Sequence, residues 1–317
     1  MTKIINKEMH FASLFILQKQ LIYVIILQEN LRGDKMKRIE GKGFDYERAL
    51  YGSENVEAIR CRFEGKADGE SAFKESKNLI INSCFFDLRY PFWHVNKMEL
   101  SNSEMTINCR APLWYTFDVK INACTINSVK ALRECQNIEI ENSTINSVEF
   151  GWRCDGVKMN HSKISGEYFM LMSKNLSVSD IDFSGKYSFQ YIENATFENC
   201  NFDTKDAFWH AKNVYVKNCK VKGEYLGWYS EDITFENCVI TGTQPLCYAK
   251  GLKLINCEMH EADLSFEKSE VEAQITSHII SIKNPKLGKI TAPSVDTIIK
   301  DDKEARAEII IGEMATV

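Results

Sequence analysis

A phrase of the form apolar-x-Asn-Cys-x-apolar recurs four times in this chain, as Phe197–Phe202, Val216–Val221, Phe235–Ile240 and Leu254–Met259. Its cysteine falls at Cys200, Cys219, Cys238 and Cys257, always nineteen residues apart. Stepping back by nineteen reaches Ile181, Ser162, Ser143 and Cys124, and looser steps of 20 to 22 reach Ser103, Ser83 and Cys61, giving eleven registers. A period this short leaves no room for a helix, a strand and their turns, so each coil is built of strands and turns.

Each column of the repeat, counted from the cysteine as zero, reads as a stack. Positions −5 and −3 are apolar almost throughout (Ile138/Ile140, Val214/Val216, Ile233/Phe235), the alternation of a strand with one buried face. Position −6 carries Asn, Asp or Gly, and position −1 is Asn in seven of the eleven coils, so both are turns. Two turns and three short apolar runs per coil describe a three-sided helix of strands. The outward columns agree. At −7 stand Asp155, Lys174, Glu193, Lys212, Glu231 and Lys250, six residues of alternating sign. At −4 stand Glu99, Lys120, Glu139 and Lys158, and at +5 Glu167, Lys186, Lys205 and Glu224, where the two lysines interrupt the alternation. Strands about 4.7–4.9 Å apart make such residues lateral neighbours, and opposite charges there are favourable.

The expected fold is therefore all-β: a single-stranded right-handed parallel β-helix of about eleven coils. Phe44–Tyr51, with Asp45 and Glu47 early and Arg48 later, reads as a short N-terminal capping helix. After about residue 264 the period fades; Ile275–Ile282 and Ile290–Ile299 read as strands that close the other end. The domain is expected to run from 36 to 312, with 313–317 as a tail. Residues 1–35 share no register of the repeat. Arg32–Gly33 can be encoded by AGG-GGA, a ribosome-binding sequence at a suitable distance before Met36, so the native start is expected at Met36. The alternative is a membrane anchor, against which Gln18, Lys19 and Gln20 split residues 11–27 into two apolar pieces too short to span a bilayer.

Composition bounds the partners. A net charge of −5 argues against nucleic acid, which asks for a basic stripe, and no basic amphipathic stretch suggests a membrane surface. Eleven cysteines in so long a chain, with no convincing secretory signal, point to reduced thiols and a cytoplasmic location rather than a disulfide scaffold.

Glu47–Gly52, Tyr90–Trp93, Asp206–Trp209, Gly223–Trp228 and Leu246–Tyr248 resemble, in order, the bacterial family known as domain of unknown function 3737. The resemblance spans about residues 38 to 300 and implies a pectate-lyase-like right-handed β-helix. It carries no activity and transfers no catalytic residue. The segment before Met36 lies outside its pattern.

Candidate sites follow from the columns. A thiol ladder on one wall cannot surround an ion tetrahedrally, and neighbouring strands hold Cβ atoms too far apart for disulfides, so the cysteines are expected to be small core residues; no metal and no cofactor are expected. The third side differs. Position −9 reads His94, Tyr115, Glu134, Arg153, Met172, Tyr191, His210, Tyr229 and Tyr248, with the parity of an outward column. Position −11, with Phe92, Leu113, Leu132, Met170, Phe189, Phe208 and Leu246, shares that face unless a bulge intervenes and buries it. Position −10 carries Trp93, Trp114, Trp152, Trp209 and Trp228, expected inward or at a corner, interrupted by Arg133 and Gln190.

An aromatic stripe of this kind suits the apolar faces of sugars or a protein partner. Two readings stand. One is a carbohydrate-binding or carbohydrate-processing protein, with Trp114, Tyr115, Glu134, Trp152 and Arg153 central to its site. The other is a non-catalytic structural or interaction scaffold, self-association to a homo-oligomer included. For an enzyme, a polysaccharide hydrolase or lyase-like activity is the expectation, but no catalytic motif is found. His94 and His210 lie six coils apart, about 29 Å, and cannot share a reaction centre.

Overall fold

The computed structural model describes residues 36–65 and 70–312, and the expectations about residues 1–35 and 313–317 lie outside them. The described residues form a parallel β-solenoid of about 14 turns with a ~19-residue period. A first wall stacks six-residue strands such as Gln136–Glu141, Asp155–Asn160, Lys174–Ser179, Glu193–Glu198 and Lys212–Lys217, each parallel to the next and in register. A second wall stacks Thr144–Val148, Lys163–Glu167, Asp182–Lys186, Asn201–Lys205 and Lys220–Lys222 in the same way. The inward columns are buried end to end, as Ile138, Val157, Leu176, Ala195 and Val214 show on the first wall and Ile145, Ile164, Phe183 and Phe202 on the second.

The corners explain the composition of the repeat. Position −6 and position −1 both hold left-handed residues, as at Asn194 (φ 55°) and Asn199 (φ 55°), a conformation that Asn tolerates better than most residues. Their amides form ladders up the outside: Asn213 Nδ2 donates to Asn194 Oδ1 at 2.7 Å, and Asn256 Nδ2 to Asn237 Oδ1 at 2.8 Å. The left-handed corner also turns the next N–H inward, and the zero column receives it. Cys200 N–H donates to Cys219 Sγ at 3.3 Å, and where serine replaces cysteine, Cys124 N–H donates to Ser143 Oγ at 3.1 Å. Apart from Ile181, the column is thus a row of small acceptors for buried backbone donors. All eleven cysteines are buried and free. Burial pushes the Cys84 thiol up to about 11 and Cys247 up to about 12, which keeps both protonated at neutral pH.

Outside, the charge ladders close as pairs. Lys174 bridges Asp155 and Lys212 bridges Glu231, each at 3.3 Å. The two lysines that break the +5 alternation turn away from each other, Lys186 to Glu167 at 3.1 Å and Lys205 to Glu224 at 2.8 Å.

Four expectations are corrected. The turns number about 14, not eleven, because the first wall continues past the fading repeat through Glu270–Ile275, Leu287–Ala292 and Glu308–Ile311. The zero column at the N-terminal end holds Cys84 rather than Ser83: Cys61 N–H donates to Cys84 Sγ at 3.4 Å, while Ser83 (φ 54°) is the corner before it. No capping helix forms at 44–51. Gly43–Phe44 is a second-wall strand paired with Arg62–Phe63, and Arg48 (φ 56°) and Leu50 donate their N–H groups to Glu70 and Ala72 of the next coil, each at 2.8 Å. Inter-coil bonds thus replace the i→i+4 bonds of a helix. The third side, finally, expected as a third short strand, is made chiefly of turns. No helix among the described residues is long and apolar enough to cross a membrane.

Candidate functional site

Third-side coils close through β-turns. Ala211 N–H donates to Phe208 O at 3.2 Å across Trp209 and His210, and Ser173 N–H to Met170 O at 3.3 Å across Leu171 and Met172. The third residue of each turn is left-handed, as at Met172 (φ 56°), His210 (φ 53°) and Tyr229 (φ 59°), the sign that type II geometry requires. Such a turn breaks the two-residue alternation of a strand. Position −11 is therefore buried at Phe92, Leu113, Leu132, Met170, Phe189, Phe208 and Leu246, and this column is removed from the exposed face. Two-residue strands, Leu113–Trp114 and Leu132–Arg133, interrupt the turns, and Ser265 pairs with Ile282 of the five-residue strand Ile279–Lys283 near the C-terminal end.

The tryptophan column is half-buried rather than inward, and each indole is tied to the corner of the following coil. Trp114, Trp152 and Trp209 donate Nε1–H at 2.7 Å to the carbonyls of Lys130, Tyr168 and Tyr225, and Trp228 donates at 2.8 Å to Gln244. Each acceptor lies sixteen residues on. Gln190, which looks out of place in this column, makes the same bond: its Nε2 donates to the Asp206 carbonyl at 2.9 Å. It is a tryptophan substitute in hydrogen bonding, not an orphaned polar group. Arg133 differs, with its guanidinium lying 5.1 Å and 5.5 Å from the ring centres of Trp114 and Trp152. Its Nε is buried without a hydrogen bond, and Glu134 lies 3.7 Å from it and 3.9 Å from Arg153. The structure thus brings together Trp114, Arg133, Glu134, Trp152 and Arg153.

These aromatic rings stack on one another along the axis. Trp209 and Trp228 are 5.4 Å apart and 4° from parallel; Tyr191, His210 and Tyr229 follow at 4.8 Å and 5.0 Å, within 10°. His94 lies on Tyr115 at 5.0 Å. Within each stack the ring faces are covered by neighbouring rings. A sugar stacks on faces, so these ladders offer it little beyond hydroxyl and imidazole edges. Asp206 stands in the corner column between Tyr187 and Tyr225; burial raises its carboxyl above the ordinary carboxylate range.

A second feature was not singled out in the repeat. The outer face of the second wall carries a groove of about 630 Å³ lined by Lys163, Ser165, Asp182, Ser184, Asn201, Asp203, Lys220 and Lys222 with their aliphatic neighbours. Register places Lys163, Asp182, Asn201 and Lys220 in one row and Ser165, Ser184, Asp203 and Lys222 in a second row two residues away. Small side chains at Ser165 and Ser184, beside Gly166 and Gly185, leave the wall hollow there.

The charges in this groove are not paired. Lys163 faces Asp182 and Asp203 faces Lys222 across adjacent strands, yet neither couple forms an ion pair. Asp182 accepts from Asn201 Nδ2 at 2.8 Å, while the side chains of Asp203, Lys163, Lys220 and Lys222 make no hydrogen bond or ion pair among the described residues. Lys186 and Lys205, on the rim, are both bridged. The usable signal in the sequence was the row of small outward residues next to glycine, flanked by charges that do not alternate. No group of three or more His, Cys, Asp or Glu is gathered for a metal ion among the described residues.

Stacked parallel coils with an aromatic turn side and an open polar groove define the class: a parallel β-solenoid. The chain belongs to the family described as "Protein of unknown function (DUF3737)", which it matches over residues 37–311. No curated protein matches. Among solved structures it is similar to a pentapeptide repeat protein involved in heterocyst differentiation regulation from the cyanobacterium Nostoc, with 11% identity, TM-score 0.27, and 76% of this chain and 95% of that one covered. It is also similar to the catalytic domain of an α-1,3-glucanase in complex with nigerose (10% identity, TM-score 0.31, 89% and 64% covered). A third is the mannuronan C-5 epimerase A-module of Azotobacter vinelandii (9%, 0.29, 86% and 88%). At these scores the likenesses assign no chemistry to this chain.

Proposed function

We propose that the protein binds a carbohydrate chain in the groove of its second wall. The observation that carries this reading is the set of donors and acceptors there, at Lys163, Asp203, Lys220 and Lys222, that the protein itself leaves unsatisfied. Their rows repeat at the strand spacing of about 4.8 Å, along which a hydroxyl-rich polymer makes successive hydrogen bonds. The groove volume, about 630 Å³, lies within the range of small-ligand sites. Fold likeness adds nothing to this, since one fold hosts many functions.

A glycan array probed with the wild type, Asp203→Ala and Arg153→Ala tests the reading. Asp203 lines the groove, and Arg153 stands on the third side. Wild type is expected to bind at least one glycan, Asp203→Ala to lose at least tenfold in affinity, and Arg153→Ala to bind unchanged. Loss in Arg153→Ala alone would return the site to the aromatic side. A folded wild type that binds nothing would overturn the proposal. It would favour the interaction-scaffold reading, for which the 47% exposure of Met172 and 45% of Tyr191 on the third side speak.

A further inference from the structure

We infer that the glycan is anionic, an oligomer bearing carboxylate or sulfate groups; this rests on the carbohydrate reading of the groove and adds its charge. The lining holds three lysines and two aspartates, a formal +1 (3 − 2), in a chain whose net charge is −5. The lysines are the decisive residues. On the second wall the two rim lysines are neutralised by Glu167 and Glu224, whereas Lys163, Lys220 and Lys222 inside the groove are free of partners. An ammonium group without a counter-charge, beside an aspartate it faces but does not bridge, is available to a ligand at no cost in broken ion pairs.

Their placement sets the ligand's size. Lys220 and Lys222 project from one strand on the same face and form one cationic station. Lys163 is three coils away in the same row, about 14 Å at the strand spacing. A monosaccharide does not bridge that distance; an oligomer with acid groups near both ends does. Asp182, Asn201 and Asp203 lie between the stations, where they accept hydroxyl hydrogen bonds and oppose an anion placed centrally. Specificity then comes from two cationic ends around an acidic middle, not from overall charge.

Isothermal titration with four probes tests this: an oligogalacturonate, its fully methyl-esterified form, a heparin-derived hexasaccharide, and its desulfated form. The partners are the wild type and the triple variant Lys163→Gln/Lys220→Gln/Lys222→Gln. These side chains are exposed and unpaired, so the variant is expected to keep the wild-type melting temperature. At least one acidic probe should bind the wild type about tenfold or more tightly than its neutral counterpart, and the triple variant should lose that preference. The preferred acid identifies the group, carboxylate or sulfate. Equal binding of acid and neutral forms would overturn the inference while leaving the carbohydrate reading intact. So would an acid preference that survives in the triple variant. Failure of all four probes, and of every array glycan, would remove both.

Discussion

Phe189→Ala is expected to destabilise the solenoid by about 3–5 kcal/mol, the range for emptying a buried aromatic site. Phe189 is fully buried and sits where the three sides meet. Its ring centre lies 4.8 Å from Phe197, 5.3 Å from Phe208, 5.4 Å from Phe202, 5.5 Å from Phe169 and 5.8 Å from Phe183. Those five rings come from both walls and from the turns above and below, so the cavity cannot collapse without moving three coils. Phe189→Leu keeps most of the volume and is expected to cost less than about 1.5 kcal/mol. Urea unfolding of the two variants is the check. A loss below about 1.5 kcal/mol in Phe189→Ala would mean that position −11 is not interior.

Gly223→Ala is expected to be nearly as damaging, for a different reason. A Cβ built on Gly223 would overlap the carbonyl oxygen of Thr204 in the preceding coil, and the residue holds φ at 150°, which L side chains rarely adopt. The obstacle is backbone, which cannot rotate aside, so the coils must separate locally. The cost is expected at or above the upper end of the about 1–3 kcal/mol seen on overpacking. Gly43→Ala, where a Cβ meets nothing within 4 Å, is the control and should change stability by no more than about 0.5 kcal/mol. Thermal melts that place both variants together would contradict the close approach of the coils at Gly223.

The nineteen-residue period was legible because a parallel stack makes the same demand at every coil. An inward strand position, a corner that is most often Asn and a small acceptor at position zero recur in most coils, as Val214, Asn218 and Cys219 illustrate. The charge ladders were legible for the same reason. What failed were steps where backbone geometry changes without a compositional mark. Tyr and Met at the left-handed position −9 carry none of the usual signals for positive φ, and His there carries only a weak one, so the turn at Phe208–Ala211 reads as a strand and its parity slips by one. Ser83 and Cys84 are both small, and only the direction of the Cys61 N–H separates corner from column. The segment 44–51 has helix-like charge order, but its N–H groups find carbonyls in the next coil.

The candidate site was less legible than the fold. The aromatic columns were visible, yet stacking is a relation between coils that hides ring faces, and sequence shows only the rings. Gln190 looked anomalous until its bond to the Asp206 carbonyl matched that of the tryptophans. The groove was missed because Lys163, Asp182, Asn201 and Lys220 read individually as solvated surface. Their significance lies in not pairing, and this depends on side-chain placement.

The most direct test of the central claim, that the second wall and not the aromatic side holds the ligand, is a crystal structure with the best-binding oligosaccharide bound. Sugar density lying along the Lys163–Lys222 groove, with an acid group beside Lys220 or Lys222, is the predicted result. Density over Trp114, Arg133 and Trp152 with an empty groove would contradict it.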